Sequence, residues 1–189
     1  MTWTADDEAR VRHCTRCGLS AQRGVAVPGT GPIPARLMLV ADQPEADDDQ
    51  MGLPFTGPAG ALLTKILAAV GLTRDQVYLT TVVKCTPPGR PATDAEIVRC
   101  LPYLAEQIAA VDPAVIVCLG SAATQALLGD TALLGAIRGR WRQFGDRAVM
   151  PTYPLDHLMR LPAAKRDAWK DWQEVARVLG LSPVRATAS

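Results

Sequence analysis

The stretch from Leu37 to Gly60, L-M-L-V-A-D-Q-P-E-A-D-D-D-Q-M-G-L-P-F-T-G-P-A-G, constrains this chain more than any other. It opens on five apolar residues, Leu37 to Ala41, the pattern of a strand buried on both faces. A loop of Asp, Gln, Pro and Glu follows. A helix is expected from about Ala59, with Pro58 suited to its first turn and Gly71 to its stop. In an open α/β sheet, ligands bind in the crevice at the carboxyl ends of the strands. The polar loop, with Phe55 between Pro54 and Gly57, is therefore the first candidate site.

The rest of the chain repeats the alternation. Thr4 caps a short helix to about Cys14, with Asp6, Asp7 and Glu8 in its first turn. Gly24 to Pro34 reads as loop. Val77 to Val83 reads as a second strand, rich in Val, Tyr and Thr, and Pro87, Pro88 and Gly89 stop it. Thr93-Asp-Ala-Glu96 is a capping box heading a helix with Ile97, Leu101, Leu104 and Ile108 on one face. Val115 to Leu119 is a third buried strand, followed by a helix capped at Ser121. Leu127 to Gly145 is mixed, Ala148 to Thr152 forms a fourth strand, and Ala163 to Leu179 is an amphipathic helix. The expectation is a three-layer α/β/α sandwich with a mainly parallel four-stranded sheet.

The length, 189 residues, fits a single domain over 1–189, with a tail fraying from about 182. Twenty Lys and Arg nearly cancel nineteen Asp and Glu, so net charge does not announce a nucleic-acid partner. No apolar run approaches the roughly 20 residues of a membrane span, and Met1 to Arg12 is polar. A cytoplasmic protein without a membrane partner is the default. Its five cysteines then read as metal ligands or core residues rather than disulfides.

Cys14 and Cys17 form a close pair, while Cys85 and Cys100 stand apart, all four in loops or at element ends. Zinc ribbons usually bring two close pairs, so this set fits a four-thiolate iron–sulfur cluster at least as well. A structural zinc, or thiols that never meet, stays open on spacing alone. Cys118, inside the third strand, reads as a small core residue.

From Cys14 to Asp171 the chain resembles the family 4 uracil-DNA glycosylases, the iron–sulfur members of the uracil-DNA glycosylase superfamily. The resemblance rests on Cys14-x-x-Cys17, Gly52-Leu-Pro-Phe-Thr-Gly-Pro-Ala-Gly60 and Thr80-Thr-Val-Val-Lys-Cys-Thr-Pro-Pro88. It continues through Glu96-Ile-Val-Arg-Cys100-Leu-Pro-Tyr-Leu104, Val115 to Gly120, Arg138-Gly139 and Pro151-Thr-Tyr153. It implies a structural 4Fe-4S cluster on Cys14, Cys17, Cys85 and Cys100. It also implies hydrolysis of the N-glycosidic bond of a base flipped out of DNA, probed by stacking and by reading of its edge. Phe55 is at the stacking position. Lys84, Arg138 and Arg160, with Arg140 and Arg142 nearby, are the phosphate-contact candidates. DNA, single-stranded or with a flipped base, is the implied partner of a monomer.

The match is that of a divergent member. The family's Gly-Glu-Ala-Pro-Gly reads Ala41-Asp-Gln-Pro-Glu45, so Asp42 is the catalytic acid candidate. Gln43 stands where trapping relatives carry a Gln, and Glu45 replaces a glycine and would oppose a uracil anion. The base-reading Asn is Thr81, whose hydroxyl offers one short contact. The family's Pro-Thr-Tyr-His becomes Pro151-Thr-Tyr-Pro154, leaving His157 as the nearest imidazole. Base excision with altered or weakened activity is the resulting expectation. A non-catalytic or trapping protein for DNA or a damaged base, and an enzyme on a free modified nucleoside, are the alternatives.

Overall fold

The computed structural model describes residues 2–181; the tail expected to fray from 182 lies outside the described residues. In chain order the helices are α1 Ala5–Arg12, α2 Ala46–Met51, α3 Pro58–Ala69, α4 Asp94–Val111, α5 Ser121–Leu128, α6 Leu134–Ile137, α7 Leu155–Arg160 and α8 Lys165–Val178. The strands are β1 Leu37–Ala41, β2 Tyr78–Thr81, β3 Val115–Leu119, β4 Arg142–Phe144 and β5 Arg147–Thr152. They form one five-stranded sheet in the order β2-β1-β3-β5-β4. The first three pairings are parallel, and β4 runs antiparallel to β5.

Strand alternation sorts the core into two layers, as a sheet covered on both faces requires. Leu37, Leu39, Val115, Val117 and Met150 face α3 and α8, where Leu63, Leu67 and Trp172 meet them. Met38, Val40, Ile116, Cys118 and Val149 face the opposite layer, with Leu104 and Ile108 of α4 and Leu127 of α5. A third cluster, Trp3, Val11, Leu19, Ala26 and Tyr103, packs α1 and the cysteine segments against α4. The capping box forms as expected: Glu96 N–H donates to Thr93 Oγ1 at 3.3 Å, and Thr93 N–H to Glu96 Oε2 at 2.8 Å.

The sheet has five strands, not four. The additional one, β4, lies in the segment read as mixed and pairs Phe144 with Arg147 around Gly145-Asp146. Gly145 takes φ 62°, the left-handed conformation a two-residue hairpin turn demands. The second strand is shorter than expected, because Val82 N–H already turns to Ala41 O at 2.8 Å. Among the described residues no helix is long and apolar enough to cross a membrane.

Candidate active site

A cavity of about 350 Å³ opens at the carboxyl ends of β1 and β3, where an open α/β sheet places its ligands. Ala41 and Asp42 enter from β1, Leu119 and Ala122 from the β3–α5 turn, Phe55 from the loop before α3, and Pro154 and Asp156 from the start of α7.

Phe55 is 8 % exposed and held at φ 57°, a conformation disfavoured for a residue with a side chain. Three contacts impose it. Asp48, buried in α2, accepts hydrogen bonds from Thr56 N–H at 2.8 Å, Thr56 Oγ1 at 2.9 Å and Glu45 N–H at 3.1 Å. Arg74 donates to Pro54 O at 3.1 Å. Gly60 lies so close beneath that a β-carbon there would stand 1.8 Å from Phe55 O. Neither Asp48 nor Arg74 was legible as a site residue. Asp48 is one of three consecutive aspartates, and only the short helix decides which of them turns inward.

Asp42 lines the cavity with its carboxylate over the N-terminus of α5. Ala123 N–H donates to its Oδ1 at 2.7 Å, the arrangement a helix N-terminus favours for an anion. Burial nevertheless raises its pKa above the ordinary carboxyl value, outweighing the α5 amides. Gly120, at φ 128°, leaves the room: a β-carbon there would stand 2.4 Å from both oxygens.

Gln43 spends its amide at both ends on the loop after β2. Its Nε2 donates to Arg90 O at 3.2 Å, and its Oε1 accepts from Ala92 N–H at 2.9 Å. Pro91 and Ala92 are thereby held as a cavity wall. The same loop is clamped from α4, where Arg90 donates to both oxygens of Glu96 at 2.8 Å. That bond, with Thr93, lowers the Glu96 pKa from 4.5 to about 2. A carboxyl with a depressed folded-state pKa contributes stability that is full above its unfolded value and lost as pH falls through the folded one. Thermal stability should therefore fall between pH 4.5 and about 2, and Glu96→Gln should flatten that limb. An unchanged acid limb in the variant would remove Glu96 from the explanation.

Glu45, an exposed residue that lines the cavity, precedes α2 and caps it in a capping box with Asp48. Burial raises its pKa, with Asp48, Asp156 and Asp47 adding to the shift and Arg160 opposing it. Arg160 also lines the cavity, exposed, and pairs with Asp156 at 2.8 Å.

Four residues singled out in the sequence are placed elsewhere. The Thr81 side chain is buried and donates to Val83 O at 2.7 Å, so its hydroxyl closes the turn after β2 and does not line the cavity. His157 stacks on Tyr153, ring centroids 4.8 Å apart, and lies outside the cavity lining; Asp156, one residue earlier, lines it instead. Lys84 is buried, donating to Thr80 Oγ1 at 2.7 Å, Thr81 O at 2.5 Å and Gln107 Oε1 at 2.7 Å. Burial lowers its pKa to about 7. Such an amine is a core contact, not a phosphate contact. Arg138 is also turned inward, onto Asp171 of α8.

Cys14, Cys17, Cys85 and Cys100 line one small cavity between α1 and α4, together with Arg23 and Tyr103. Arg23 donates to Cys85 Sγ at 3.1 Å and Lys84 N–H to Cys100 Sγ at 3.2 Å, bonds that favour thiolate. Burial without a metal pushes the Cys100 thiol up to about 11. Among the described residues no three His, Cys, Asp or Glu side chains stand close enough to hold one metal ion. Cys118 is buried in β3 and packs in the core.

A sequence-family model described as the uracil DNA glycosylase superfamily matches residues 28–175. A type-4 uracil-DNA glycosylase of Archaeoglobus fulgidus is 44 % identical over 185 residues, covering 93 % of each chain. One from Pyrobaculum aerophilum is 37 % identical over 85 % of this chain and 87 % of its own. One from Saccharolobus solfataricus is 34 % identical over 92 % of this chain and 85 % of its own.

Proposed function

Because this chain belongs to the uracil-DNA glycosylase superfamily, we propose that it is a DNA glycosylase. In this reading it hydrolyses the N-glycosidic bond of uracil or another altered base flipped out of DNA. The observation that carries the reading is Phe55, an aromatic ring held by Asp48, Arg74 and Gly60 in a strained loop at the mouth of the sheet. Strained backbone held from three sides is the mark of a positioned group, and a flipped base needs a π-face to stack on.

The residues then take roles by position. Phe55 stacks the base, Asp42 orients the attacking water from its place over α5, and Gln43 keeps the 91–92 wall against the base edge. Arg160, exposed beside the cavity, meets a phosphate of the strand that enters it. The whole chain acts as a single monomeric domain in the cytoplasm, on single-stranded DNA or on a base already extruded.

The four cysteines would hold the 4Fe-4S cluster. The four line one small cavity, and the two N–H donors to Cys85 and Cys100 suit thiolate ligands. Bound there, the cluster would cross-link the α1, β2–α4 and α4 segments and supply no step of the hydrolysis.

Uracil excision is expected to be weak. A departing uracil anion is stabilised by donors, and Pro154 offers none at the cavity wall, while the Thr81 hydroxyl is committed to Val83 O. Pro154 takes φ −66°, ψ 151°, extended backbone open to any residue. Pro154→His should therefore fold normally and raise uracil release from a single-stranded oligonucleotide by about 10²-fold, the scale of one added acid group. Fast release by the unaltered chain, or no gain in the variant, would overturn the account of weakened activity.

A further inference from the structure

The small cavity that holds the four cysteines is lined as well by Arg16, Arg23, Lys84 and Arg99, and by no carboxylate. Cations gathered around one space suit an anionic occupant, such as thiolates bound to a cluster. Three of the four are spent elsewhere. Arg16 lies over the Tyr103 ring, 4.5 Å from its centroid, and Arg99 donates to Arg16 O at 2.8 Å. The Lys84 amine is bonded to Thr80, Thr81 and Gln107. Of the four, only Arg23 sends a side-chain N–H to a sulfur, with Nη1 donating to Cys85 Sγ at 3.1 Å. The same Nη1 donates to Cys14 O at 2.9 Å, and Nη2 to Arg12 O at 2.8 Å, carbonyls left open where α1 ends. Capping α1 explains two of these bonds. It does not explain the third, which reaches across 62 residues of chain to a cysteine.

We propose that Arg23 is the positioning residue of the cluster site. Its planar fork fixes the Cys14 segment against Cys85, and its charge offsets that of the Cys85 thiolate. The inference rests on the cluster reading and adds a residue to it. A guanidinium suits both tasks, because it keeps its proton and presents its donors in one fixed plane. Partners of this kind orient a metal ligand and tune the group it holds. A cation beside the thiolate favours the more negative, reduced form of the cluster and so raises its reduction potential. Substitution separates the two effects. Arg23→Gln removes the charge and breaks the fork, whereas Arg23→Lys breaks the fork and keeps the charge.

The test uses the full chain purified anaerobically, with its iron content measured first. Arg23→Gln should lose its visible cluster absorbance in EDTA and ferricyanide about 10–100-fold faster than the unaltered chain, the scale for losing the partner of a metal ligand. Its cluster should also show a lower midpoint potential by film voltammetry. Arg23→Lys should bleach faster too, but hold the potential of the unaltered chain. Faster bleaching of Arg23→Gln at an unchanged potential is what a plain cap of α1 would give, and it overturns the inference. A potential that falls as far in Arg23→Lys as in Arg23→Gln does the same. So does bleaching of Arg23→Lys at the unaltered rate, and that variant decides alone if Arg23→Gln does not fold. An unaltered chain that holds zinc or no metal overturns the cluster reading itself, and the inference with it.

Discussion

Gly60→Ala is expected to lower base release by about 10²-fold or more and to destabilise the fold by roughly 2–4 kcal/mol. Alanine is otherwise the better helix residue, favoured over glycine by about 1 kcal/mol in a helix interior. Here the geometry reverses the sign. A β-carbon at 60 would stand 1.8 Å from Phe55 O and 2.4 Å from its carbonyl carbon. Both are backbone atoms, so no rotamer change relieves the contact. The loop must back away from α3 by more than an ångström, which pulls Thr56 off Asp48 and leaves a buried carboxylate short of two donors. Phe55 moves with the loop, and a misplacement on the order of 1 Å at the reacting group costs about 10² in rate. Gly135 in α6 is the control, since a β-carbon there meets only Tyr153 Oη at 3.6 Å, an ordinary contact. If Gly60→Ala melts and works as Gly135→Ala does, Phe55 is not held in the way described.

How far the sequence could be read depended on where each side chain's polar end goes. The β1 and β3 runs were legible because five consecutive apolar residues need burial on both faces, and α4 because Thr93 and Glu96 satisfy each other locally. The three-residue β4 has no alternation to detect; only Gly145-Asp146 hinted at the hairpin. In the site, the loop carrying Asp42 and Phe55 was found because its position follows from the sheet. Lys84, Thr81 and Arg138 were misplaced for a different reason. A motif fixes where a side chain starts, not which way its tip turns. The Lys84 amine turns in because Gln107, 23 residues away, completes its set of acceptors. Arg138 does so because Asp171, 33 residues on, is buried beside it. Such partners meet only through tertiary packing.

Asp171→Ala is the second large effect, and it is one of stability. The Asp171 carboxylate lies on α8 and takes a forked contact from Arg138, with Nε at 2.9 Å from Oδ2 and Nη2 on Oδ1. Thr152 Oγ1 at the end of β5 donates to Oδ2 at 2.6 Å. Both side chains of the pair are enclosed, 14 % exposed for Arg138 and 3 % for Asp171. Removing the acid leaves a guanidinium that cannot be neutralised and cannot reach water without dragging out the Arg138-Gly139 turn, where Gly139 N–H is bonded to Pro151 O at 2.9 Å. The expected cost is about 3–5 kcal/mol, or a fall in Tm of roughly 10 °C for a chain of this size. The exposed Arg177–Glu174 pair, at 2.7 Å, has comparable geometry but stays in water, and breaking it should cost under about 1 kcal/mol. Because the penalty comes from the stranded charge and not from the lost attraction, Arg138→Met combined with Asp171→Leu should recover most of it. A double variant as unstable as Asp171→Ala would show instead that the fork itself holds the end of β5, and with it the Pro154 wall of the cavity.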